Sequence, residues 1–394
     1  MQYRNDPKSG NKLSILGFGC MRFPRNLAQI DMRKTEQLVV KAVEEGINYF
    51  DTAYIYGGSE NALGQIIQKN NLRDAIFLAT KLPLAKCRNY EDFDELFKTQ
   101  LERLHTDYID YYLLHNLTGT DMREQLCRKG IEKWIEEKKA SGRIRQIGFS
   151  FHGVHDEFLA LLEAYNWDFC QIQYNYINTD YQAGTAGLKK AAEKGIPVIV
   201  MEPLLGGKLA NALPKKALDV FRAADSSLPP AAWALRWLWN QKEVTVVLSG
   251  MNEDSQLMEN IGIANSAEAG MLGAKENEVF KSVTEVFKAS FKIPCTGCNY
   301  CMPCPQNVNI PACFSSYNIS YTSGIITGFV QYLTSIGVSN PSKLHAAFQC
   351  IKCGACEKKC PQHIPVVKAL GDVRKRMEPF WLRVGLRIFF ASQS

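Results

Sequence analysis

The stretch Asn48-Tyr-Phe-Asp51-Thr-Ala-Tyr54-Ile-Tyr56-Gly-Gly-Ser-Glu60 is a short β-rich run that ends on an acid and opens into a glycine-bearing turn. The same grammar extends on both sides of it. Strands are predicted at Leu16–Met21, Asn48–Ala53, Ile76–Lys81, Ile109–His115, Gln146–Ser150, Phe169–Tyr174, Pro197–Glu202 and Val244–Gly250. Amphipathic helical runs lie between them at Glu36–Glu45, Asp92–Leu104, Ile131–Ala140, Asp156–Ala164 and Gly187–Lys194. A helix after each strand implies right-handed crossovers and a parallel sheet. Eight such strands match an α/β fold of the (β/α)8 TIM barrel type in number and length. A doubly wound sheet alternates in the same way but carries G-x-G-x-x-G after its first strand. Leu16-Gly-Phe-Gly19-Cys20 does not continue into that pattern.

At 394 residues the chain is long enough for such a barrel and a second, smaller domain. Hydrophobic residues make up 46% and charged residues 22%, which speaks for a globular chain rather than a disordered one. The net charge of +6 is mild and has no concentrated Lys/Arg block, so no nucleic acid partner is expected. The opening MQYRNDPKSG has no apolar signal core, and no stretch reaches the ~18 apolar residues of a membrane span. The cytoplasm is the expected location. The Ala- and Gly-rich segment Asn265–Asn277 marks the end of the barrel. The expected domains are residues 1–275 for the barrel, 285–375 for a small cysteine-bearing domain, and 376–394 for an apolar, basic tail.

Thirteen cysteines in a chain without a secretory signal are read as reduced thiols, which favours metal ligation over disulfides. Cys20, Cys87, Cys127, Cys170 and Cys313 are scattered, and the other eight form two runs. One is Cys295-Thr-Gly-Cys298-Asn-Tyr-Cys301-Met-Pro-Cys304-Pro305; the other is Cys350-Ile-Lys-Cys353-Gly-Ala-Cys356-Glu-Lys-Lys-Cys360-Pro361. Three thiolates at two-residue intervals wrap three corners of a cubane, and the fourth, before proline, completes the other cluster. On that logic Cys295, Cys298, Cys301 and Cys360 hold one [4Fe–4S] cluster, and Cys350, Cys353, Cys356 and Cys304 hold a second. Zinc is the competing metal, but its sites draw four ligands from two separated pairs rather than two quartets ending in Cys-Pro. The final gap of the first run is two residues rather than three. The 45 residues between Cys304 and Cys350 carry helix-like runs at Pro311–Tyr317 and Gly328–Ser335, so a mostly α-helical ferredoxin-like domain is expected.

Four residues fall at or just beyond strand ends: Asp51, Tyr56, Lys81 in Leu-Ala-Thr-Lys81, and His115 in Tyr-Leu-Leu-His115-Asn. In a parallel barrel such positions face one mouth. A tyrosine of pKa ~10 becomes a usable acid beside an ammonium. Asp51 would orient Lys81, and a neutral His115 would hydrogen-bond a carbonyl while a hydride arrives from elsewhere. Taken singly, each residue also has an ordinary reading as a cap or a packing group.

The order and local sequences of this set resemble the aldo-keto reductase family, whose tetrad is Asp, Tyr, Lys and His on a (β/α)8 barrel. The likeness runs from about Met1 to Asn260 and includes Gly142-Arg-Ile-Arg-Gln-Ile-Gly148, Gln171-Ile-Gln-Tyr-Asn175 and Leu204-Leu-Gly-Gly-Lys208. The cysteine-rich end resembles the subgroup fused to a ferredoxin-like domain. The resemblance implies NAD(H) or NADP(H) across the mouth. Ser150 and Gln171 match carboxamide-binding positions. Gly19, Cys20 and Met21 match the turn near the ribose, and Leu204 to Lys208 match the loop over the pyrophosphate. Glu259 and Asn260 match the pair near adenine. Phe151 stands where an Asn commonly joins Ser150. Where NADPH-specific relatives place Lys, Ser and Arg for the 2′-phosphate, this chain offers Gly250, Met251 and Gln256, with no cation. The resemblance therefore leans away from strict NADPH use.

Trp233, Trp237 and Trp239 read as packing residues, His152 and His155 as loop residues, and Cys20 as an ordinary thiol. The tail Phe380–Phe390, apolar with spaced arginines, is expected to pack on the ferredoxin-like domain; membrane-surface contact is the less favoured reading. Three functions follow. The first is reduction of a small-molecule carbonyl, or the reverse alcohol oxidation, with Tyr56 as general acid/base. The second is an electron-transfer protein whose barrel binds a flavin or a redox partner protein. The third is a barrel enzyme with purely structural clusters.

Overall fold

In the computed structural model, residues 1–27, 29–322, 324–336 and 344–391 are described, the side chains of residues 386–391 excepted. The expected tail therefore falls partly outside the described residues. Eight parallel strands close a barrel: β1 Leu16–Gly19, β2 Tyr49–Asp51, β3 Phe77–Leu82, β4 Ile109–Leu117, β5 Ile144–Phe151, β6 Phe169–Gln173, β7 Val198–Met201 and β8 Val244–Ser249. Each strand pairs with its neighbours in chain order, and β8 returns to β1 through Val247↔Leu16 and Ser249↔Phe18. The eight predicted strands are all present, with ends shifted by at most two residues. Backbone pairing, which hydropathy does not report, sets those ends.

The barrel is filled rather than hollow. Tyr49, Ala79, Tyr111, Leu113, Phe169, Ile199 and Val246 form its inner cluster. An N-terminal hairpin, Tyr3–Asn5 with Lys12–Ser14, contributes Leu13 to this cluster, and the Tyr111 hydroxyl donates to Asp6 at 2.8 Å. Aliphatic and aromatic side chains between strands and helices make the larger outer core. All five predicted barrel helices are present, and Ile131–Ala140 keeps its predicted bounds. Helix Tyr90–Leu104 begins earlier than its hydrophobic periodicity suggests because Asn89 and Asp92 form a capping box. Helices Ser59–Lys69 and Asp254–Asn265 were not predicted. The first lies so close to helix Tyr90–Leu104 that a Cβ on Gly64 would fall 2.2 Å from the Arg103 carbonyl oxygen. Glycine is required there for close approach.

The chain divides into two compact units. One comprises Met1–Leu204 with Ala231–Gly273, and the other Leu205–Pro230 with Ala274–Ser394. Chain order alone does not show that the segment after β7 belongs with the C-terminal residues. Its helix Lys215–Ala224 packs on helix Ala274–Ser290, with the Phe221 and Phe280 rings 6.1 Å apart.

The second unit is mostly helical, with a core that includes Val308, Phe314, Tyr332, Val366, Leu370 and Val373. Helices Ile310–Thr322 and Ile325–Ser335 pack tightly; a Cβ on Gly328 would sit 2.6 Å from the Ser320 backbone. The tail forms helix Phe380–Ala391, but only partly as expected. Leu382 joins the core, whereas Phe380, Trp381 and Val384 are exposed. Among the described residues no helix is long and apolar enough to cross a membrane.

Candidate active site and cluster ligands

Asp51 ends β2, Lys81 lies one residue before the end of β3, and His115 lies within β4, which runs two residues further than predicted. All three are buried. The Lys81 ammonium donates to Asp51 Oδ1 at 2.5 Å and to the Thr52 carbonyl at 2.8 Å. Asp51 Oδ2 accepts from the Gln171 amide at 2.9 Å. Tyr56 is half-buried on the turn after β2, its ring centroid 5.1 Å from Lys81 Nζ. Its ring meets His115 edge-on, with centroids 6.1 Å apart and planes at 87°. The structure thus gathers the four predicted residues around one point.

Hydrogen bonds hold the turn carrying Tyr56 in place. Ser59 donates from its backbone to the Tyr56 carbonyl at 2.7 Å and from its hydroxyl to the Cys20 carbonyl at 2.9 Å. Next to it, buried Glu60 accepts from Thr80 at 2.7 Å, Gln100 at 2.8 Å and Arg103 at 3.1 Å, locking the end of β3 that bears Lys81. Tyr54 has a packing role beneath Arg103, whose guanidinium carbon lies 4.2 Å from the ring centroid.

Electrostatics sorts the titratable groups. Burial, then Lys81 and His152, push the His115 pKa well below the usual imidazole range, so the ring is neutral at ordinary pH. His152 lies in the loop after β5, as expected, and is buried beside His115. His155 is held by its Nδ1 on the Ala183 carbonyl at 2.9 Å. Cys20 is fully buried, and burial followed by the Asp51 charge push its thiol well above the usual range. An unactivated thiol, as expected, is the result.

The positions implied for a nucleotide are distributed as follows. Ser150 accepts from the Asn116 backbone N–H at 2.8 Å, and Asn116 is left-handed at φ 61. Phe151 lies in the core against Phe158, so it offers no polar contact. Asn260 donates to the Ser249 hydroxyl at 3.1 Å, Gln256 accepts from the Asn252 backbone, and Glu259 is exposed. Gly250 shows what the linear reading missed: a Cβ there would sit 3.2 Å from the stem of Arg22. The stem of an arginine from the turn after β1 therefore packs beside the segment that has no cation of its own. Leu204 closes the first unit. Lys208 belongs to the second, with its ammonium on the Cys295 carbonyl and 5.3 Å from the Phe291 ring centroid.

The two cysteine runs share one backbone plan. Gly297 and Asn299 have φ 72 and 65, and Lys352 and Gly354, at equivalent places, have φ 60 and 72. Three residues after each final cysteine, Asn307 and His363 are again left-handed, and helices begin at Ile310 and Val366. Turns of this kind aim backbone N–H groups inward; the Lys352 N–H donates to Cys350 Sγ at 3.4 Å. Cys301, its thiol pushed up to about 12 by burial, also senses Cys295, Cys298 and Cys360. A cavity is lined by Cys301 and Cys304 together with Cys350, Cys353 and Cys356. Cys301 thus neighbours members of both runs, and Cys304 lies with the second run. Among the described residues no three His, Cys, Asp or Glu side chains close on a single metal ion.

A model of the aldo/keto reductase family matches residues 15–269. The chain belongs to the aldo/keto reductase family. Its barrel is an oxidoreductase, and residues 294–364 match a 4Fe-4S dicluster domain. An aldo-keto reductase of Mycolicibacterium vanbaalenii is 27% identical over 292 residues, spanning 71% of this reductase and 95% of the relative. A probable voltage-gated potassium channel subunit beta of Arabidopsis thaliana is 25% identical, spanning 66% and 90%. Among solved structures, the holo form of a Bacillus halodurans aldo-keto reductase is 27% identical with a TM-score of 0.60, spanning 72% and 96% of the two chains. A Klebsiella pneumoniae aldo/keto reductase, solved with NADP and acetate, shares the fold at 20% identity and a TM-score of 0.59, spanning 72% and 96%.

Proposed function

We propose that the barrel reduces an aldehyde or ketone to an alcohol, with Tyr56 as the proton donor. The observation that carries this reading is the buried Lys81–Asp51 pair set beside Tyr56 and His115. A nicotinamide nucleotide, when bound, supplies the hydride. Neutral His115 orients the substrate by donating a hydrogen bond to its carbonyl oxygen. As negative charge develops there, the Tyr56 hydroxyl gives up its proton, and the Lys81 ammonium stabilises the phenolate left behind. Asp51, fixed by Gln171, holds that ammonium in place. Carbonyl, hydride and proton balance to the alcohol with no further reactant, and the reverse oxidation uses Tyr56 as the base.

For the nucleotide, Ser150, Asn260 and Arg22 are the residues proposed to contact carboxamide, adenine and phosphate respectively. For the second unit, we infer two [4Fe–4S] clusters, held by Cys295, Cys298, Cys301 and Cys360 and by Cys304, Cys350, Cys353 and Cys356. The proximity of Cys301 to Cys360, and of Cys304 to the second run across a shared cavity, supports this crossed arrangement. Such clusters supply one-electron chemistry, which the carbonyl step does not need.

The test is a Tyr56→Phe variant purified anaerobically and assayed with NADPH and NADH against a panel of aldehydes and ketones. Turnover is expected to fall by about 10²–10⁴ with iron content unchanged. Full turnover in the variant would remove Tyr56 from the mechanism.

A further inference from the structure

The second unit carries large apolar side chains in water where a compact domain has no use for them. Helix Phe380–Ala391 starts with Phe380 and Trp381, which are 73% and 66% exposed. Helix Ile325–Ser335 exposes Ile325, Val330 and Ile326, the last at 77%. Phe329 links the two rows, its ring centroid 6.4 Å from that of Trp381. The residues therefore form one patch rather than scattered single exposures, and a patch of this kind marks an interaction surface.

Charge identifies what covers it. Residues 291–394 contain eleven Lys or Arg and three Asp or Glu, so this part alone exceeds the +6 of the whole chain. Of the three acids, Glu378 is buried, Glu357 caps a helix by accepting from the Val367 N–H at 2.9 Å, and Asp372 is half-buried near Tyr317. Residues 379–394 contain no acid at all. The cations border the apolar side chains directly: the Arg383 guanidinium lies 5.9 Å from the Phe380 ring centroid, and that of Arg376 lies 3.9 Å from Tyr321. Thiolate-held clusters are anionic and offset this excess only in part.

We propose that this face lies on an anionic lipid surface, with Phe380, Trp381 and Ile326 in the headgroup boundary and the arginines on lipid phosphates. Aromatic and aliphatic residues beside a mostly cationic fringe are the pattern of a helix lying in the membrane interface. Its 12 residues are too few to span a bilayer. A second copy of the chain would bring the same excess charge to the contact. An acidic redox protein has another place to dock, where Cys353 and Ile351 are exposed among Lys352, Lys358 and Lys359.

The experiment is flotation of the anaerobically purified, iron-loaded full chain with vesicles of phosphatidylcholine alone or with about 30% phosphatidylglycerol. Binding is expected only to the anionic vesicles, and is expected to weaken as salt rises from about 50 to 500 mM. An Ile326→Ser/Trp381→Ser variant should keep its iron and its carbonyl reduction yet lose about tenfold or more of its vesicle binding. Arg383→Gln should lessen the salt dependence. Failure of the wild type to float with anionic vesicles, or equal flotation of wild type and double variant, overturns the proposal. A dimer that the double variant dissolves would assign the face to a second copy and overturn it too. So would binding of an acidic flavin carrier through this patch while vesicles are ignored.

Discussion

Lys81 and Asp51 form an ion pair at 2.5 Å with almost no solvent access to either side chain, and a third buried group, Gln171, holds the far carboxylate oxygen. Under the proposed mechanism the pair serves both stability and chemistry, so the two roles separate under mutation. Asp51→Asn or Lys81→Met strands a buried charge or donor and should cost about 3–5 kcal/mol. The double variant should regain much of that in a denaturant titration. Carbonyl turnover should stay lost in all three.

His115 makes the fold sensitive to acid. Its folded pKa is depressed by burial and by Lys81 and His152, whereas the unfolded imidazole titrates near ~6.5. Below that pH the unfolded chain binds a proton that the folded chain does not, so stability falls as pH drops below about 6.5. His115→Gln should flatten the fall in Tm between about pH 7 and 5. In the wild type, the acid side of the activity profile should show no ionisation of this ring near its ordinary value.

Arg22 answers the question left by Gly250. The aliphatic stem of Arg22 packs beside that glycine, and the nucleotide reading proposed above assigns its guanidinium to a 2′-phosphate, although the segment itself has no cation. Arg22→Ala should raise KM for NADPH about tenfold or more and leave KM for NADH nearly unchanged, since an ion-assisted hydrogen bond contributes about 1.5–3 kcal/mol. Equal effects on both nucleotides would place Arg22 at the pyrophosphate instead.

Crossed ligation has a clear signature. Cys304→Ser should damage the cluster held by Cys350, Cys353 and Cys356, and Cys360→Ser the one held by Cys295, Cys298 and Cys301. Iron analysis with electron paramagnetic resonance of each variant should show one signal lost and the other kept, with different signals missing in the two proteins. Loss of the same signal in both would mean that each run serves its own cluster.

Much of this was legible in the chain. Short β-rich runs alternating with amphipathic helices specify a parallel barrel because each crossover must bury one helical face on the sheet. The positions of Asp51, Tyr56, Lys81 and His115 at strand ends followed from that alternation, and the cysteine spacing set out the two proposed ligand runs. Tertiary structure alone decided the rest, since it depends on groups distant in sequence. Gln171 reaches Asp51 across 120 residues, and Arg22 lies against Gly250 only because β8 closes on β1. Segment Leu205–Pro230 joins the C-terminal unit through packing that no local pattern announces. For the tail, the same apolar residues satisfy a buried or an exposed helix equally well. Only packing shows that Leu382 enters the core while Phe380 and Trp381 face water.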